Sequence, residues 1–423
     1  FYPSSAMPGA VKLGRWGSMI DTALADDVAK LSVAATACLV AFIYLRKRRI
    51  LGEKRAAARA APPSLEPPAG WPNIPGMQCG NLINPQGVLL RTFRFDADSP
   101  KAAVILVHGI GVGCRHEFLR ATHDGGPHSV YKDSLIDVLQ RAGISVFTYD
   151  QQSLGNSDSV LPDTRCYFHR FDDLAIDLLS VHAHFAASLP PGTPIFWLGI
   201  SLGGGVATRA VQLRPKQPTP LPPVQGLLLL APMISLTKVR QEYFFKPLGL
   251  RNQHLYGVMH QLSALIPTVP LAKRARNEVH PHMEEELENE LTNWTKPIRI
   301  RVATEVTIIT ESFMSFGQDA SIDSVAVPSL LCIHAKADTF VEPQGSVALF
   351  ERANVAGPRA LVLMGGGKDG VKGEMWAKGP ETAAKALAKI TDLGMWHGLA
   401  CEPRCEEVAA AVAAWVIAVS AAK

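Results

Sequence analysis

Six short, mostly apolar runs are spaced along the chain, at 103–107, 145–150, 195–198, 227–230, 329–333 and 360–364. They are continuous rather than alternating, the pattern of strands buried on both faces of a parallel sheet. Val88–Phe95 reads as an earlier, antiparallel strand. Between these runs the period turns helical. Lys132–Arg141 sets Leu135, Ile136, Val138 and Leu139 on one side, with Gly143 past its end. Phe171–Leu189 is a second helix, and Val408–Ala421 a last one packed on the sheet. Alternating strands and helices predict an α/β fold, a mostly parallel central sheet with helices on both faces.

Residues 235–325 interrupt the alternation. They predict an inserted helical cap. Tyr243, Phe244, Phe245, Leu248, Leu262, Leu265, Ile266 and Trp294 would give it an apolar underside lining an acyl-chain channel. The alternative is that they form the cap's own core. Met283–Leu291, with five glutamates, reads as a solvated helix face, and His280 and His282 lack the further spacing of a metal site.

The region before the core has a different character. Leu31–Leu45 is uncharged and mostly apolar, and Arg46-Lys47-Arg48-Arg49 follows at once. As a helix it would reach about 22 Å against roughly 30 Å of hydrocarbon, and extension back to Val28 takes in Lys30. A membrane anchor over about 28–45, basic cluster on the cytosolic side, is the leading reading. A targeting segment removed on maturation, leaving a soluble domain, and an amphipathic helix are the alternatives. Residues 56–76, rich in Ala and Pro, read as a semi-rigid linker. The organisation is therefore an N-terminal segment 1–75 holding anchor, basic cluster and linker, a core part 76–234, a cap 235–325, and a second core part 326–423.

Charge and cysteines narrow the partners. Net charge is +4, and the basic excess is local, with Arg46, Lys47, Arg48, Arg49, Lys54, Arg55 and Arg59 against Glu53. A membrane surface fits this patch, and a nucleic acid is not indicated. Cysteines 38, 79, 114, 166, 332, 401 and 405 are scattered, lack zinc-ligand spacing and read as reduced thiols. No cofactor and no metal are expected.

The chemistry begins at Gly199-Ile200-Ser201-Leu202-Gly203, between the strand 195–198 and a helical stretch from Gly204. Strand, sharp turn and helix are the context in which G-x-S-x-G exposes a nucleophile. Gly199 and Gly203 are small enough for the two sides of the turn to meet. A serine hydroxyl also needs a base, an acid to orient the base, and donors for an oxyanion. His108-Gly109-Ile110-Gly111-Val112-Gly113 follows the strand 103–107 and supplies an oxyanion loop, whose expected donors are the N–H groups of Ile110 and Leu202. A phosphate loop is the competing reading of Gly109, Gly111 and Gly113, but its Lys-Ser/Thr ending is missing.

The acid is expected beyond a later strand, where Asp338 follows 329–333. Asp319 and Asp323 precede that strand and read as solvated carboxylates, and His334 reads as structural. His397 is the only histidine after the strand 360–364, which makes it the base. At an unperturbed pKa near 6.5 it would be neutral around pH 7.5, with activity falling below about pH 6.

These residues resemble the α/β-hydrolase superfamily, within it the monoacylglycerol lipase and lysophospholipase group, from about residue 75 to the C-terminus and only loosely over 235–325. Val107-His108-Gly109, Glu117-Phe118-Leu119-Arg120, Tyr131-Lys132-Asp133-Ser134, Phe171-Asp172-Asp173-Leu174 and Ala231-Pro232-Met233-Ile234-Ser235 are similar to the lysophospholipase-like esterases of apicomplexan parasites and their alveolate relatives. The resemblance implies the α/β-hydrolase fold and the triad Ser201, Asp338 and His397. Two departures stand out. Ser153-Leu154-Gly155-Asn156-Ser157 replaces the usual Gly-His-Gly-x-Ser, and the stretch between Asp338 and His397 is long, with Gly365-Gly366-Gly367-Lys368-Asp369-Gly370 and an Ala/Lys-rich segment. The expectation is a serine hydrolase cleaving lipid carboxylic esters, monoacylglycerol or lysophospholipid. A small-ester hydrolase, peptidase or acyltransferase of the same fold and a non-catalytic interaction module are the alternatives.

Overall fold

The computed structural model describes residues 65–422 other than 124, 273, 275, 278 and 367–369, together with all but the side chain of Phe244. The expected anchor at about 28–45, the basic cluster and the start of the linker lie outside the described residues. Nine strands form one sheet. Numbered in chain order they are β1 (Met77–Ile83), β2 (Leu89–Phe95), β3 (Ala102–Val107), β4 (Ile144–Tyr149), β5 (Ile195–Ile200), β6 (Gly226–Leu230), β7 (Leu330–Ala335), β8 (Arg359–Met364) and β9 (Glu374–Lys378). Their spatial order is β1-β2-β4-β3-β5-β6-β7-β8-β9. The strands β3 to β8 run parallel, β2 lies antiparallel between β1 and β4, and β9 closes the far edge antiparallel to β8.

Each parallel strand divides its side chains between two cores. In β3, Ala103, Ile105 and Val107 enter one apolar cluster, and Ala102, Val104 and Leu106 the other. The first face is covered by α2 (Phe171–Ala186), α3 (Leu202–Leu213), α6 (Ile300–Met314) and α7 (Pro343–Arg352). The second is covered by α1 (Leu135–Arg141), α8 (Glu381–Ala388) and α9 (Cys405–Ala421). Helix α1 starts where the hydroxyl of Ser134 accepts from the N–H of Asp137, an N-cap that satisfies one orphan donor of the first turn.

Three features add to the expectation. Trp71 stacks on Phe93 at 4.5 Å and Ile74 is buried, so packing begins before residue 76. The long stretch after β8, given no element in the sequence reading, builds β9 and α8, which buries Ala383 and Leu387. The glutamates of 283–291 are partly committed, Glu284 to Arg274 and Glu290 to Arg115. Between β6 and β7 the chain makes the expected insertion, which carries α4 (Tyr256–Leu265), α5 (Pro281–Asn289) and α6. Among the described residues no helix is long and apolar enough to cross a membrane.

Candidate active site

The predicted residues gather at the C-terminal edge of the parallel strands, where an open α/β sheet places its ligand crevice. Ser201 follows β5 directly and precedes the first residue of α3. Its backbone is at φ 51°, ψ −119°, a region that a non-glycine residue occupies at a cost of about 1–3 kcal/mol. Neighbouring strands fix it there. Its N–H donates to Leu230 O (3.2 Å), and its carbonyl accepts from the N–H groups of Gly204 (3.0 Å) and Met233 (2.8 Å). A Cβ on Gly199 would run into the backbone of Gly203, and one on Gly203 into the carbonyl of Val107 at the end of β3.

That second contact seats the turn on the loop after β3. A Cβ on Gly109 would lie 3.4 Å from Ser201 Cβ and 2.9 Å from Glu117 Oε2. Gly111 has φ +79°, and its carbonyl accepts the N–H of Trp294 at 2.7 Å. The insertion thus grips this loop. Among the described residues, neither the Ile110 nor the Leu202 N–H finds an acceptor.

Asp338 lies three residues beyond β7 and is buried. Its Oδ1 accepts the N–H groups of Phe340 (2.7 Å) and Val341 (3.0 Å). Its Oδ2 lies 2.7 Å from His397 Nδ1 and 3.1 Å from His334 Nε2. An ionised carboxylate only accepts, so both ring nitrogens donate to it, and His334 Nδ1 takes the hydroxyl of Ser346 at 2.7 Å. Burial alone would raise the Asp338 pKa. The charge of His397 and the bonds from both histidines outweigh it and hold the carboxyl well below its usual range. Burial likewise disfavours the His397 imidazolium, but Asp338, Glu117 and Glu402 more than offset it, so its pKa lies above the ordinary 6.5.

Three contributors carried no catalytic signal in the sequence. His334, read as structural, shares the oxygen that holds His397. Glu117 is buried and accepts the N–H of Gly109 at 3.0 Å, and burial pushes its pKa up. Glu402, five residues past His397, accepts from the loop that carries the base. Leu154, where the resemblance implies His, packs with Cys166 and Trp294.

One described cluster has three potential metal ligands, His108, Cys114 and Asp150. Its atoms are committed elsewhere. His108 Nδ1 donates to Gly109 O (2.8 Å), and its Nε2 accepts the N–H of Gln151 (2.9 Å). Asp150 accepts the N–H groups of Cys114 (2.7 Å) and Asn156 (2.6 Å), and burial pushes the Cys114 thiol well up. A cation there would have to break this scaffold beneath the loop after β3.

Residues 98–367, more than half of the chain, match the family described as serine aminopeptidase, S33. A monoglyceride lipase of Rattus norvegicus is 26% identical over 163 residues, which are 38% of this chain and 45% of the rat protein. The match therefore spans under half of that relative's length. The monoacylglycerol lipase of Paleococcus ferrophilus superposes with a TM-score of 0.52 at 19% identity, over 78% of this chain and 99% of that one. A soluble variant of monoglyceride lipase from Saccharomyces cerevisiae, solved with a substrate analogue, gives 0.55 at 17% identity, over 84% and 98%. At these identities the structural likeness is one of fold.

Proposed function

The chain belongs to the serine aminopeptidase S33 (Hydrolase_4) family and has the α/β-hydrolase fold, and from that premise we propose that it hydrolyses carboxylic esters of lipids, monoacylglycerol or lysophospholipid, through an acyl-enzyme on Ser201. The observation that carries this reading is the Asp338–His397 bond of 2.7 Å at the sheet edge where Ser201 stands on its left-handed turn. Asp338 holds Nδ1–H of His397, which leaves Nε2 as the base. Ser201 Oγ attacks the ester carbonyl as Nε2 takes its proton. The N–H groups of Ile110 and Leu202 receive the oxyanion. His397 then protonates the leaving alcohol, and water, deprotonated by the same nitrogen, releases the acid.

The segment 235–325 is proposed as a cap. It exposes Tyr243, Phe245, Leu248, Val258, Leu265 and Leu271, which supports approach to a lipid surface. A peptidase reading draws on the family's name. An aminopeptidase needs a free carboxylate beside the nucleophile to pair with a substrate ammonium. The nearby Glu117 and Glu402 are buried and occupied by backbone N–H groups, which favours the ester.

A fluorophosphonate probe tests the mechanism. The expected result is one adduct on Ser201, located by mass spectrometry and lost in Ser201→Ala. Labelling that survives this substitution would sink the assignment. p-Nitrophenyl esters of rising chain length beside aminoacyl anilides then test the substrate class, and preference for decanoate over acetate and over every anilide is expected.

A further inference from the structure

His397 is held from two directions. Asp338 holds its ring. Its backbone is held by Glu402, which precedes α9 and is 1% exposed. Glu402 Oε2 accepts the N–H of Trp396 at 2.9 Å, and Oε1 accepts those of His397 (2.9 Å) and Gly398 (2.6 Å). Three consecutive main-chain donors converge on one carboxylate, an anion nest in which both oxygens act as acceptors. The loop is closed further by the N–H of Glu402 on Gly398 O (2.8 Å) and that of Leu399 on His397 O (2.9 Å). Gly398 suits this cradle, since a Cβ there would lie 3.0 Å from Cys401 Sγ and 3.3 Å from Glu402 Oε1.

We propose that Glu402 is the positioning residue for the base: its carboxylate fixes the main chain at Trp396, His397 and Gly398 and so presents the imidazole to Ser201. The assignment rests on the serine hydrolase reading above. Asp338 can set the tilt of the ring, but a ring on a loose Cα still wanders. An error of about 1 Å between reacting groups costs roughly 100-fold in rate. A buried carboxylate on the same loop also favours the imidazolium formed during acyl transfer. Among the described residues, the charged and titratable groups facing His397 are Asp338 from the turn after β7, Glu117 from the short helix Cys114–Phe118, and Glu402. Behind them stand His334 on Asp338 and His280, whose Nε2 is 3.7 Å from Glu402 Oε2.

The test is Glu402→Gln in the full chain, assayed on the best p-nitrophenyl ester. Gln keeps the volume but offers one acceptor oxygen in place of two. The expected result is kcat lower by roughly 10- to 100-fold with KM within about twofold. The acid limb of the pH profile should also move to lower pH, because a negative charge beside the base is gone. A role confined to packing would leave that limb in place. Wild-type kcat with an unmoved limb overturns the proposal while leaving the mechanism intact. Failure of the wild-type protein to form a Ser201 adduct overturns both. Hydrogen exchange on the unaltered protein gives a readout independent of the variant's folding. The amides of Trp396, His397 and Gly398 should exchange as slowly as those of the core strands, and fast exchange would overturn the clamp.

Discussion

The left-handed backbone of Ser201 persists because Leu230, Gly204 and Met233 hold its peptide groups in place. Its expected partner, His397, departs from textureless solution behaviour through its neighbours: burial disfavours its charge, yet Asp338, Glu117 and Glu402 raise its pKa above 6.5. A general base works neutral, so a raised pKa means that it is protonated, and idle, up to a higher pH than an ordinary imidazole. Activity is therefore expected to fall, as pH drops, with a midpoint above 6.5. The pH profile of kcat/KM on a soluble ester measures this, and a midpoint at or below 6.5 would count against the carboxylate surroundings described above. The sequence alone pointed to a lower limb, near pH 6. It displays Asp338 and His397 by their order along the chain. Glu117 and Glu402 act by being buried against N–H groups, and burial has no motif.

The turn between β5 and α3 is tight because two chain segments meet where side chains would stand. Gly203→Ala is the sharp test. Its Cβ would press on the Val107 carbonyl, which cannot retreat without moving β3 and the oxyanion loop after it. A loss of about 1–3 kcal/mol of stability is expected from the overpacking, together with a fall of roughly 100-fold in kcat from misplaced groups. Thermal melting and steady-state kinetics separate the two, and an alanine variant with wild-type kcat would refute the seating of the turn on that loop. The buried strands were legible because both faces are covered and their apolar runs are unbroken. Edge strands have no such signature. Met77–Ile83 is only half-buried and Glu374–Lys378 largely exposed, so neither writes an apolar run into the sequence. Helix α8 hides in an Ala/Lys-rich stretch for the same reason, since it buries little beyond Ala383 and Leu387.

Across the fold, stability should depend on several histidines, buried or half-buried, that stay neutral. Burial lowers the pKa of His128 and of His182 to about 4, and that of His116 well below its usual value. His182 accepts the indole N–H of Trp197 at 3.2 Å and donates to Pro222 O at 2.9 Å, so its tautomer is fixed. A histidine with a depressed folded pKa takes up its proton first in the unfolded chain. Each therefore contributes a loss of stability as pH falls from 6.5 towards 4, at up to about 1.4 kcal/mol per pH unit. His397 works in the opposite sense, since its raised pKa adds stability below 6.5 that is lost as pH rises. Burial lowers the pKa of His108 too, so four histidines stand against one, while the carboxyls of Glu117, Asp177 and Glu305, raised by burial, add stability on acidification. The histidine share is isolated by His182→Gln, which should lessen the fall of the urea midpoint between pH 7 and pH 4.5; an unchanged slope would contradict the neutral burial of that ring.

The excursion between β8 and the base begins and ends at one point. Gly365 donates its N–H to Thr391 O at 2.7 Å and accepts that of Gly394 on its own carbonyl at 2.9 Å. The chain that departs there returns to the same spot, fastened like the neck of a bag. What the bag contains is itself built into the fold, since β9 pairs with β8 and α8 covers the sheet, yet the span from acid to base is set by adjacent strand tips instead of by contour length.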